Sequence, residues 1–95
     1  MIPIKEYIKI IVDEIEEIRK VEGMVPWIRC QGMELQICGI KHKEDVIIFE
    51  GYADEQVWTK LLVSYFSGMA FAIQRKAPVV EKDFDLSKSV EKYFL

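Results

Sequence analysis

Apolar residues recur over the first twenty positions with a helical period. At about 100° per residue, Ile4, Tyr7, Ile8, Ile10, Ile11, Val12, Ile15, Ile18 and Val21 fall within an arc of roughly 200°. Pro3 suits the first position of such a helix and Gly23 the left-handed residue just past its end. Arg19 and Lys20 occupy the last turn, where the helix dipole favours cations. Ile4, Ile8, Ile11, Ile15 and Ile18 follow 4–3 spacing, but the run is too short for an independent coiled coil. It reads as a core helix.

The next thirty residues predict a three-stranded antiparallel meander over about 25–30, 33–41 and 46–52. Gln31-Gly32 supplies the first turn, and His42-Lys43-Glu44-Asp45 the second. A two-residue first loop sets Cys30 against Met33, Ile28 against Leu35 and Arg29 against Glu34. One face then carries Ile28, Cys30, Met33, Leu35 and Ile37. The other carries Trp27, Arg29, Glu34, Gln36, Cys38 and Ile40, and Val46-Ile47-Ile48-Phe49 feeds both.

A second long helix is predicted from about Asp54, its N-cap, to Lys76, with Pro78 stopping it. Val57, Trp58, Leu61, Leu62, Tyr65, Phe66, Met69 and Ile73 lie on its apolar half. Val63 and Phe71 fall on its otherwise polar side. Val79-Val80 has room for a short fourth strand at the sheet edge, and a short C-terminal helix is predicted from about Leu86, with Val90, Tyr93 and Phe94 on one face. The fold class is therefore α+β, a single domain over residues 1–95 in the order α-β-β-β-α-(β)-α. That element order resembles the open α+β sandwiches of the type III secretion chaperones, acidic dimers that bind other proteins. The likeness is one of element order, with no shared motif.

Composition narrows the function classes. The chain has 95 residues, 51% hydrophobic and 31% charged, the range of a globular domain. Its longest apolar run, Met69–Ile73, is far short of the roughly 20 residues of a membrane span. Lys5, Glu6 and Lys9 stand where a signal peptide would be apolar, so a cytoplasmic protein is expected. The two cysteines, Cys30 and Cys38, are far from metal-ligand spacing and read as reduced structural thiols. The net charge of −3, with signs mixed throughout, counts against a general nucleic-acid binder. The absence of asparagine, with much Ile, Glu and Lys, hints at a thermophilic source.

Candidate chemistry is sparse. His42, the one histidine, sits at a predicted hairpin tip, far along the meander from Cys30, so no nucleophile–base pair forms. Glu81, Asp83 and Asp85 read as capping residues of a following helix rather than a cation site. No glycine-rich phosphate loop or hydrolase motif occurs, and no catalytic residue, cofactor or metal is predicted. What stands out is surplus apolar surface on the second sheet face, together with Val63 and Phe71. The leading expectation is a non-enzymatic protein-binding module, a homodimer, using Trp27, Arg29, Ile40, Val63 and Phe71. The alternative is a nucleic-acid-binding or regulatory protein using a strand surface of Trp27, Arg29, Lys41 and Lys43.

Overall fold

The computed structural model describes residues 2–85. A helix, α1 (Ile4–Arg19), is followed by five strands: β1 (Val25–Cys30), β2 (Met33–Lys43), β3 (Val46–Tyr52), β4 (Trp58–Ser64) and β5 (Ala72–Lys76). They form one antiparallel sheet in the order β4-β3-β2-β1-β5. The C-terminal helix predicted from Leu86 lies outside the described residues.

α1 starts where Pro3 sets an extended backbone, and the Tyr7 amide closes its first turn on the Pro3 carbonyl at 3.1 Å. It ends at Arg19, with Lys20 as C-cap, and Gly23 takes its positive φ of 78° in the turn beyond. The buried stripe is Ile8, Ile11, Val12 and Ile15, whereas Ile10 at the rim of the arc is 53% exposed. This stripe packs with Ile28, Leu35, Ile37, Ile40, Ile47, Phe49, Val63 and Phe84 into one core on the inner face of the sheet. The β1–β2 register is the one that the two-residue loop imposes: Cys30↔Met33, Arg29↔Glu34 and Ile28↔Leu35.

The long helix over 54–76 does not form; among the described residues α1 is the one helix, and the protein is mostly β. Residues 53–57 instead make a hairpin turn, with Gln56 at φ 63° and the Ala53 amide bonded to the Val57 carbonyl. β4 then runs beside β3 from Tyr52↔Trp58 to Val46↔Ser64. Trp58, Thr59 and Val63 are aromatic or β-branched, residues that suit a half-buried pleated surface. Ser67 and Gly68, the latter at φ 68°, break the chain before β5. With the second helix goes the element order shared with secretion chaperones. β5 crosses back to pair with β1, Val25↔Lys76 through Arg29↔Ala72, so β1 is a central strand. Val79-Val80 is not a strand either.

A second correction is local. The β2–β3 register shifts between Ile37 and Gly39, where a bulge adds one residue to β2. One extra residue reverses the facing of everything after it. Ile40, expected on the outer face, therefore turns inward opposite Phe49 and is 1% exposed. Gly51 makes the bulge possible, because a Cβ there would fall on the Gln36 carbonyl oxygen.

Candidate interaction surface

The outer face of the sheet divides into two unlike halves. Over β1 and β2 it is sealed by the segment that follows β5. The Trp27 indole Nε1 donates to the Ala77 carbonyl at 3.3 Å, and Lys76 Nζ stands 4.4 Å from the ring centroid. Gln36, with no exposed surface, holds the segment at four points. Its Oε1 accepts from the Val79 and Val80 amides at 2.8 and 3.2 Å, and its Nε2 donates to the Val80 and Lys82 carbonyls at 2.9 and 3.0 Å. Cys38 is covered by the same segment, and burial pushes its thiol pKa up. Where β1 leaves the side of β2, the Asp85 amide donates to the Cys38 carbonyl at 2.8 Å.

Three ion pairs, made by two basic side chains, fasten this arrangement. Arg19 bridges Glu16 at 2.6 Å and Asp83 at 2.8 Å, tying the end of α1 to the tail. The hydrogen bond from Arg19 holds the Asp83 carboxyl below its ordinary value. Lys76 hydrogen-bonds Glu34 at 2.8 Å, which likewise lowers the Glu34 carboxyl.

Over β3 and β4 none of the described residues forms such a cover. Counting alternately from inward-facing Ile47, Phe49, Leu61 and Val63, the outward side chains are Val46, Ile48, Glu50 and Tyr52 on β3 and Trp58, Lys60, Leu62 and Ser64 on β4. Leu62 is 60% exposed and Trp58 44%. Tyr52 meets Trp58 edge-on at 5.2 Å, with Lys82 Nζ 5.3 Å above the Trp58 ring. Lys41 and Glu50 form a 3.0 Å ion pair beside them.

The five residues expected on the surface are thus not assembled. Trp27 lies under the tail, Ile40 and Val63 are in the core, and Phe71 is half-buried, edge-on to Phe49 at 5.4 Å. Arg29 alone is exposed, 3.9 Å from Glu34. Nor do Trp27, Arg29, Lys41 and Lys43 make a stacking platform, since the indole is dry and Lys41 is engaged by Glu50. Sequence reasoning missed Gln36, whose signal was a lone amide among Leu35, Ile37 and Cys38. It missed Trp58 and Leu62 as surface groups because the helix reading buried them.

The remaining chemistry is thin. His42 Nδ1 is 3.3 Å from the Glu44 carbonyl, and Cys30, which ends β1 opposite Met33 at the far end of β2 from His42, has its Sγ 3.8 Å from Met69 Sδ. A cleft of about 270 Å³ beside the α1 N-terminus, lined by Tyr7, Tyr65, Ser67, Met69 and Phe71 among others, has no charged side chain in its wall. Among the described residues no three His, Cys, Asp or Glu side chains converge on a metal site, neither cysteine forms a disulfide, and no helix is long and apolar enough to cross a membrane. Comparisons with protein-family models, curated proteins and solved structures find no match.

Proposed function

We propose that this chain is a small non-enzymatic protein-binding module that acts as a homodimer in the reducing interior of the cell. The observation that carries the reading is the contrast between the two halves of the outer sheet face. One half is closed by the tail through Gln36, whereas the other presents Ile48, Leu62 and Trp58 at the side of the sheet where it ends in β4. Apolar groups gathered on an open sheet margin favour association, at about 25 cal/mol per Å² removed from water. A symmetric pair is the commonest way for a soluble domain to cover such a patch with itself. Two unpaired cysteines fit a reducing compartment.

Sedimentation equilibrium at micromolar concentration tests the proposal. A species of twice the 11.1 kDa chain mass is expected. A single 11.1 kDa species over the whole concentration range overturns it.

A further inference from the structure

The two edges of the sheet are defended differently. β5 is short, carries Arg75 and Lys76, and is followed by Pro78, devices that discourage another strand from pairing. β4 is seven residues long, has Lys60 as its one charge, and contains no proline. Its hydrogen-bonding groups have a definite polarity. The Tyr65 amide donates to the Asp45 carbonyl and the Ala53 amide to the Val57 carbonyl, so positions 65 and 57 are hydrogen-bonded to the β3 side. Bonding direction alternates along an antiparallel strand. Thr59, Leu61 and Val63 therefore bond inward to β3, and the N–H and C=O groups of Trp58, Lys60, Leu62 and Ser64 point away from the sheet.

That pattern is self-complementary. We infer that two copies of the chain join edge to edge through antiparallel β4 strands, with the two-fold axis at Leu61. This rests on the homodimer reading and specifies its interface. In this register Lys60 exchanges backbone hydrogen bonds with Leu62 of the second copy, and Trp58 faces its Ser64, whose carbonyl also accepts from the Ser67 amide of its own chain at 3.1 Å. Leu61 meets Leu61, and Thr59 meets Val63, which continues the inner apolar layer across the joint. Shifting by two residues one way sets Lys60 against Lys60. Shifting the other way leaves Trp58 beyond the end of its partner strand. Only the Leu61-centred register uses the full strand and keeps the two lysines apart. The stem of Lys60 then lies over Leu62, the most exposed large apolar residue among those described.

The register has a charge signature. Leu62→Lys places an ammonium opposite Lys60 twice per dimer, and Leu62→Glu places a carboxylate there instead. With position 62 mostly exposed in the single chain, both variants keep the fold, which far-UV circular dichroism verifies. By sedimentation, Leu62→Lys is expected to weaken the dimer about tenfold, since like charges directly opposite on paired strands repel. Leu62→Glu should stay within about threefold of the parent, and Lys60→Glu combined with Leu62→Lys should recover it. If both single variants weaken the dimer alike, or neither does, the copies do not meet in this register and the edge-to-edge assignment falls while the dimer stands. If the parent chain is monomeric, both readings fall together.

Discussion

Replacing Gln36 with leucine should detach the tail from the sheet. The side chain is fully buried and makes four hydrogen bonds to backbone groups of residues 79–82. Leucine removes the amide but leaves the Val79 and Val80 amides and the Val80 and Lys82 carbonyls facing an apolar group. Each lost bond costs about 1 kcal/mol net, more where the orphaned partner stays dry. Because Val79 and Val80 are half-buried, water can reach part of the set, which brings the expected loss to about 2–4 kcal/mol. Against a total near 5–14 kcal/mol for a chain of this length, that is a large share. The readout is Trp27, which loses its cover when residues 77–82 lift. In a Trp58→Phe background it is the one remaining indole, so its emission should shift to the red in native buffer, and urea unfolding should give the lowered stability. A loss below about 0.5 kcal/mol with unchanged emission would refute the idea that Gln36 holds the tail.

Gly51→Ala should be the most damaging small substitution in the molecule, costing more than about 4 kcal/mol, because its Cβ meets β2 backbone that has nowhere to go; a thermal melt within a few degrees of the parent would contradict the bulge geometry. Acid should loosen the tail. Asp83 and Glu34 both have carboxyl values below their unfolded ones of about 3.9 and 4.3, so their contribution is complete above that range and is lost as pH falls through the lowered folded values, under about pH 4. Asp83→Asn should therefore flatten the acid limb of a stability–pH curve, and an unaltered limb would show that the Arg19 bridge contributes nothing.

How much of this was legible depended on how local each signal was. α1 and the β1–β2 hairpin announce themselves within a few residues, through the isoleucine stripe and Gln31-Gly32, and both formed. The stretch 54–76 carries two periods at once. Leu61, Leu62, Tyr65 and Met69 satisfy a helix, but Thr59, Leu61 and Val63 alternate with Trp58, Lys60, Leu62 and Ser64 as a strand. The discordant residues held the answer: Val63, misplaced on a helix, is a core residue of β4, and Phe71, just ahead of β5, packs against that core. Ile40 failed for another reason, since a one-residue bulge at Cys38–Gly39 leaves no mark on local hydropathy. It depends on a glycine eleven or more positions later in the chain, on a different strand. Gln36 was legible only as an anomaly, because the groups it binds come from more than forty residues away.

The placement of β5 beside β1 also sets the order in which the molecule can be built. The hairpins joining β1 to β4 close over short loops and need nothing from the rest of the chain. β5 must return across the sheet to meet β1, as must the tail, where Trp27 and Ala77 lie 50 residues apart. Closure over that span is slow compared with hairpin formation, since its entropy is lost before any contact compensates. During synthesis β1 is therefore an open edge until the last third of the chain emerges, and in the finished protein β5 with its tail is the unit whose release requires the fewest other contacts to break. Amides on the β5 side of β1 should exchange with solvent by this partial opening, ahead of those between β2 and β3.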